Sequence, residues 1–427
     1  MRRNLHGRRL ENMNNKVIYE LNTDEFYAYG SANEAWAYLD YEICMSERID
    51  ASYLENALSL AYERFPYYNT LLSRDIYSNR FVLVKNDAPV RIFNSENFIP
   101  VNISESDFSL VTVSYSKEYL RVRISHILSD GLGANCFTNA ILTFYCDLKY
   151  GGKGGDEIRN EISKELIEKE YENPFNYIKV PKHQFNLKSK KSFVFSEKDV
   201  DDNHRNRVSL SIDENALLKL AKKQETSVSS VISWIVMQMI AKNNTQDLPI
   251  SVAVPYDMRK ILNFPECKRN CNTTIVLMLK PSFLKKSVEA QLSALRGSMF
   301  LQMDECHCMN RMQKSYEHWK KASECKTIED RIEYYCSGKN LNVIPVVSYI
   351  GTFDLGKYEK YYKSLDCIVN VSGVAGILVM VIHNKETFRL NFTTTLTDWN
   401  KYQDTLIETL KMLELPFTEL RTDYCIE

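Results

Sequence analysis

Apolar positions along this chain switch repeatedly between a period of two and a period of three to four, and each switch predicts a new element. Residues 51–65 (ASYLENALSLAYERF) set Leu54, Ala57, Leu58, Ala61 and Tyr62 on one stripe, the spacing of an amphipathic helix, and Pro66 stops it. Ahead of it, residues 32–43 predict a helix or turn running into a strand. Behind it, short stretches at 81–85, 90–93 and 108–115 predict strands. Next, Leu120, Val122, Ile124 and His126 alternate with Arg121, Arg123 and Ser125, so a strand here sets the histidine on the same face as three aliphatic residues. Phe137, Ala140, Ile141, Phe144 and Leu148 then recur at helical spacing to about Tyr150, where the run GGKGG at 151–155 ends the helix.

The second half shows the same mixture. Residues 208–212 alternate as a strand, Asp213 is placed to cap a helix over 214–223, and 226–241 (TSVSSVISWIVMQMIA) predicts a more buried helix. Strands are predicted at 250–254, 273–279, 343–350 and 376–382, and Asn384-Lys385 turns into 387–394, where Phe388, Leu390 and Phe392 alternate. Residues 286–336 are mostly helical in pattern, and a last helix covers 399–413. Between the halves, 156–202 is dominated by charge and reads as a solvated connection. This order predicts layered α/β domains: a disordered extension at 1–16, a first domain at 17–185, a linker at 186–206 and a second domain at 207–427. Met13 is an alternative start.

Composition narrows the class. The 427 residues exceed what one ordinary core holds, and 44% hydrophobic with 26% charged residues is a soluble, globular balance. A net charge of -1 gives no electrostatic ground for a nucleic acid or an acidic membrane as partner. The longest apolar runs, 231–240 and 373–382, are too short to span a bilayer, and the basic N-terminus lacks the apolar run of a secretory signal. Eleven cysteines are scattered without a framework, most in apolar contexts such as Cys136 and Cys146, which points to buried thiols in a reducing cytoplasm. Cys306-His307-Cys308 lacks the spacing of a structural zinc knuckle, so no metal is assigned.

The candidate chemistry sits in RVRISHILSDGLGANCF. His126-x-x-x-Asp130-Gly131 falls at the corner between the predicted strand and helix. An imidazole at the end of an apolar strand face, fixed by backbone and poorly hydrated, meets the conditions of a general base. The plain alternatives are a hydrogen-bonded core histidine and an aspartate that only caps the helix. Gly131 removes a Cβ where the chain turns tightly, and the helix N-terminus there offers N–H groups to a developing oxyanion. No nucleophile motif such as G-x-S-x-G is present.

Three further segments join this motif. Glu63-Arg64-Phe65-Pro66-Tyr67-Tyr68 closes the first amphipathic helix, Val252-Ala253-Val254-Pro255-Tyr256-Asp257-Met258-Arg259 follows the buried helix, and Val347-Ser348-Tyr349-Ile350-Gly351-Thr352-Phe353-Asp354 lies in the last third. With them, residues 17–415 resemble the superfamily of CoA-dependent acyltransferases that holds chloramphenicol acetyltransferase, condensation domains, plant acyltransferases and alcohol acetyltransferases. The resemblance implies two chloramphenicol-acetyltransferase-like domains in a V, a pseudo-dimer with an interface tunnel and His126 near its middle. It implies that Asp130 points away from His126 and pairs with an arginine, for which Arg259 is the candidate. Ser125 stands where condensation domains carry a first histidine, which points to the single-histidine branch. Ser125 and Ser348 are candidates for oxyanion or substrate contact, and Tyr349 stands where asparagine is usual.

The activity implied is transfer of an acyl group, acetyl in the first instance, from acyl-CoA to a small-molecule alcohol or amine. His126, Asp130 and Gly131 form its catalytic corner, acyl-CoA is a co-substrate with no bound cofactor, and the chain is taken as a monomer. Two other readings stand beside it. One is a free-standing condensation enzyme fed by the phosphopantetheine arm of a carrier protein. The other is a non-catalytic relative that keeps the tunnel as a binding site.

Overall fold

A computed structural model describes residues 17–32, 37–75, 78, 80–160, 163–179, 191–203, 205–244, 247–337, 344–370 and 375–425. The expected N-terminal extension and part of the expected linker lie outside these residues. Two large sheets organise the molecule. The first has five strands in the order Tyr362–Val369, Tyr38–Met45, Tyr119–Ser125, Val111–Ser116 and Phe93–Asn94, antiparallel except for the last pair. The second has seven, in the order Asn272–Leu279, Ile250–Asp257, Val346–Thr352, Ile377–Asn384, Thr387–Thr394, Arg205–Asp213 and Phe417–Cys425. Val346–Thr352 runs parallel to both of its neighbours there. A small third sheet joins Val17–Glu20, Arg80–Lys85 and Thr70–Asp75.

Each large sheet buries one face against helices, giving two large cores and the expected layered α/β architecture. Helices Ala51–Arg64 and Gly131–Tyr150 cover the first sheet, burying Leu54, Ala57 and Leu58 with Phe137, Ile141 and Phe144 against Leu120, Val122 and Ile124. Asp50 caps the first of these helices through Ser52 and Tyr53 N–H groups. Val228–Asn243 and Trp399–Met412 cover the second sheet, with Trp234, Ile235 and Leu406 against Val252, Val379 and Leu390.

Several elements differ from the sequence expectation. Tyr362–Val369 comes from the second half of the chain yet adds an edge strand to the first sheet, because its Leu365 and Cys367 pair beside Ile43 and Tyr41 and complete that core. The charged stretch from residue 156 onward is not a bare solvated connection. It holds the helices Gly154–Asn160 and Lys164–Glu170, and buried Glu170 binds Arg64 through two hydrogen bonds of 2.7 and 2.8 Å. Phe193 and Phe195, further along, are buried in the second core. The helical stretch over 286–336 is three helices, Val288–Gln302, Glu305–Ser323 and Ile328–Ser337. Cys146 is buried as expected, but Cys136 is exposed. Among the described residues no helix is long and apolar enough to cross a membrane.

Arg121 and Arg123 lie on the strand face opposite the first core, yet that face is buried too. Arg121 binds Glu42 at 2.7 Å and Arg123 binds Asp40 at 2.7 Å, both on the adjacent strand. From the second sheet, Arg389 reaches Asp366 on the crossing strand at 2.6 and 2.7 Å. Paired charges of this kind are compatible with close approach of two sheets, because no ion is left alone.

Candidate active site

Strand Tyr119–Ser125 ends one residue before His126, so the histidine opens the turn rather than closing the strand. Its N–H donates to the carbonyl of Ala37 at 2.9 Å, and its own carbonyl accepts from Asn270 Nδ2 at 2.9 Å. The backbone on both sides of the imidazole is therefore pinned. The Tyr27 ring stacks on the imidazole with centroids 4.5 Å apart and planes 11° from parallel. Nδ1 of His126 is fully shut in, while the residue as a whole keeps partial exposure. Burial holds the imidazole below its ordinary pKa of 6.5, partly opposed by hydrogen bonding to its own carbonyl, by the charge of Asp130 and by Asn270. The ring is thus neutral at pH 7.

Asp130 does not touch this ring through any hydrogen bond of the structure. It caps the helix Gly131–Tyr150 by accepting from Gly133 N–H at 3.1 Å, and it accepts from Arg259 Nη2 at 2.9 Å and Nη1 at 3.0 Å and from Cys271 N–H at 3.0 Å. Cap and ion pair are thus made by one carboxylate. Burial alone would push that carboxyl up, but Arg259 and the two backbone N–H groups hold it below its ordinary value. Arg259 starts a short helix, Arg259–Leu262, and spends its remaining donors on Asp257 Oδ1 and the carbonyls of Cys267 and Arg269.

Gly131 and Gly133 are where the two domains come closest at this corner. A Cβ built on it would lie 2.3 Å from Ile350 Cγ2. A Cβ on Gly133 would lie 2.1 Å from the backbone oxygen of Lys268. The helix therefore meets a side chain of the second domain at Gly131 and its backbone at Gly133, approaches that only glycine permits. Asn135, one turn on, binds the Ile350 carbonyl at 2.8 Å. Ser348 is half-buried on Val346–Thr352, paired in register with Met380. The Ser125 hydroxyl is buried and has no hydrogen-bond partner among the described residues. Tyr349 is exposed, with its ring against Phe388, and takes no part in the corner.

Tyr27 and Asn270 were not indicated by the sequence. Both reach His126 from remote parts of the chain. Tyr27 rides on the helix Glu25–Ala32 and Asn270 on the loop 264–271, and neither lies in a motif. A groove of about 310 Å³ opens beside the helix Gly131–Tyr150, between Asn135, Cys136 and Asn139 on one side and Lys268, Thr352 and Asp354 on the other.

No family model and no curated protein matches the chain. Solved structures do. The TRI101 protein of F. graminearum complexed with ethyl coenzyme A superposes with a TM-score of 0.64 at 10% identity, covering 94% of this chain and 99% of its own. The TRI3 trichothecene 15-O-acetyltransferase of Fusarium sporotrichioides gives 0.62 at 11% identity over 93% and 94%. Polyketide synthase associated protein 5 of Mycobacterium tuberculosis gives 0.61 at 12% identity over 93% and 98%.

Proposed function

This chain has the fold of the CoA-dependent acyltransferase superfamily, and from that premise we propose that it moves an acyl group from a CoA thioester to a hydroxyl or amine, with His126 as general base. The observation that carries the reading is the imidazole itself: pinned at its backbone, neutral, stacked on one face, with Nδ1 shut in and the residue still partly open. Structures of the same fold whose names record coenzyme A or O-acetyl transfer supply the reaction class.

In the proposed step, Nε2 of His126 takes the proton of the acceptor as its oxygen or nitrogen attacks the thioester carbonyl. The tetrahedral intermediate then collapses, the carbon–sulfur bond breaks, and the proton passes from the imidazolium to the departing CoA thiolate. Atoms and charge balance without a covalent enzyme intermediate. The requirement on the protein is one tautomer, with the proton on Nδ1 and the lone pair on Nε2. Asn270, which holds the His126 carbonyl and whose Oδ1 has no hydrogen-bond partner among the described residues, is the side chain suited to hold that proton, and Tyr27 fixes the plane of the ring.

The oxyanion needs a donor. Asp130 already takes the Gly133 N–H, so the helix N-terminus offers one donor fewer than its sequence suggests. Ser348, from the facing sheet, is assigned this contact, and Ser125 stays a candidate. Asp130, Gly131 and Arg259 hold the corner in place and do not act on substrate.

The experiment is release of free thiol from acetyl-CoA and longer acyl-CoAs against a panel of alcohols and amines, with a loaded carrier protein as a second donor. Acceptor-dependent thiol that disappears in His126→Ala supports the reading. Transfer from the carrier protein alone moves the assignment to a condensation enzyme, and acyl-CoA binding without turnover moves it to a binding protein.

A further inference from the structure

Two buried ion pairs converge on the loop 264–271, and only one of them belongs to the His126-x-x-x-Asp130 motif. The other joins Asp24 and Arg269, residues 245 apart in sequence, with Nη2 at 2.7 Å and Nε at 3.1 Å from the same carboxylate oxygen. Arg269 also donates to the carbonyls of Leu21 at 2.7 Å and Tyr171 at 3.4 Å. The two side chains are 3% and 5% exposed, so this pair lies as deep as the cores.

Its position is what distinguishes it. Asp24 closes the turn Asn22–Asp24 and is followed at once by the helix Glu25–Ala32, which carries Tyr27 over the imidazole. Arg269 is the neighbour of Asn270, which holds the His126 carbonyl. The ion pair therefore joins two of the segments that touch His126 from outside its own strand, the helix under the ring and the loop at its carbonyl. It is coupled to the first pair as well, since Arg259 donates to the carbonyl of Arg269 at 3.1 Å.

We propose that the Asp24–Arg269 pair is a positioning device for His126, locking the Tyr27 helix and the Asn270 loop into one body so that the imidazole keeps a single plane and tautomer. The claim rests on His126 being the base. Asp24 and Arg269 touch no substrate and are positioning residues, not catalytic ones. Stability alone gives a weak reason for such a pair, because buried ions of this kind are commonly replaced by apolar residues without loss. Direction is the property that apolar residues cannot supply: the guanidinium fixes the relative placement of four groups, Asp24, Leu21, Tyr171 and its own loop. A second anchor fixes the same helix, since Glu25 accepts from Trp319 Nε1 at 2.9 Å and from Phe81 N–H at 3.0 Å.

The test compares the full-length chain with Asp24→Asn and with the double variant Asp24→Leu/Arg269→Met, which removes both charges and leaves neither ion stranded. Two quantities are read: the ring-nitrogen NMR shifts of His126, assigned by their absence in His126→Gln, and kcat against KM for acyl-CoA. The expected result is a double variant with an unchanged unfolding midpoint, mixed tautomer shifts at His126, kcat lower by about tenfold and an unchanged KM, as a small misplacement of a base produces. A folded double variant with wild-type shifts and wild-type kcat overturns the proposal. If that variant does not fold, Arg269→Lys takes its place and is judged by the same two outcomes. If the wild-type chain transfers no acyl group at all, the acyltransferase reading fails by itself, and the ring shifts still decide whether the pair positions the imidazole.

Discussion

Asp130 and Arg259 meet across the boundary between the two domains through two hydrogen bonds of 2.9 and 3.0 Å, and the same carboxylate caps the helix that leads away from His126. The corner is thus tied to the second domain by a group that has no spare lone pair for the imidazole. Removing one partner strands a buried charge. Asp130→Ala is expected to cost about 3 kcal/mol or more of stability, read from denaturant unfolding. The pH dependence has a definite sign. The folded carboxyl titrates below its ordinary value of 3.8, so its stabilisation is complete above that pH and is lost as pH falls through the lower, folded value. Unfolding curves taken downward from pH 5 are expected to lose this contribution in the wild type and to lack it in Asp130→Asn. Equal acid sensitivity in both proteins would count against the pair.

On the proposed role of His126 as base, its neutral ring dictates the acid limb of activity. Burial holds His126 below 6.5, so the fraction able to accept a proton is high at pH 7 and falls only on acidification through a value under 6.5. The profile of kcat/KM against pH is expected to be flat at neutrality and to drop on the acid side with a midpoint under 6.5. His126→Ala is expected to lower kcat by about a hundred- to ten-thousand-fold with the fold intact by circular dichroism. An acid midpoint above 6.5 in the wild type would contradict the burial seen at Nδ1.

What was legible in the sequence follows the range over which each signal acts. The corner was readable because strand, histidine, aspartate, glycine and helix are consecutive, and their periods are fixed by local geometry. Arg259 was reachable only through the family resemblance, since nothing near it in the chain marks its partner. Tyr27 and Asn270 carry no pattern: one lies in the eight-residue helix Glu25–Ala32, which the pattern did not reveal, and the other in a loop of mixed charge. The strand Tyr362–Val369 and the edge strand Phe417–Cys425 were missed, and the sheet that the first one joins depends on which core lacks an edge, a property of the folded whole. The charged stretch after residue 156 misled for a related reason: Glu170 and Arg64 are individually polar and only as a pair suited to burial.

That pair makes its own prediction. Arg64 ends the first amphipathic helix and Glu170 ends Lys164–Glu170, each side chain 3% exposed, so the two fasten the post-motif segment onto the first domain. Glu170→Ala strands the guanidinium and is expected to cost about 3 kcal/mol, whereas Arg64→Met with Glu170→Leu is expected to recover most of that. Limited proteolysis adds a local reading. Cleavage within residues 154–177 is expected to accelerate in Glu170→Ala and not in the double variant.

The two glycines of the helix start separate by what each one faces. An alanine at 131 meets a side chain, with Ile350 Cγ2 at 2.3 Å and Cβ at 2.9 Å, so trimming that side chain makes room. An alanine at 133 meets the backbone oxygen of Lys268 at 2.1 Å, and no side-chain substitution moves a carbonyl. Both single variants are expected to push the second domain off the His126 corner and to lower stability by about 1–3 kcal/mol, the usual range for overpacking. Adding Ile350→Ala is expected to restore part of the loss for Gly131→Ala, since the closest atom is gone while the Cβ, fixed to the backbone, still lies at 2.9 Å. The same addition is expected to do nothing for Gly133→Ala. Thermal unfolding of the four proteins decides it: rescue of both glycine variants by Ile350→Ala, or of neither, would mean that the helix and the strand Val346–Thr352 do not meet as closely as the structure places them.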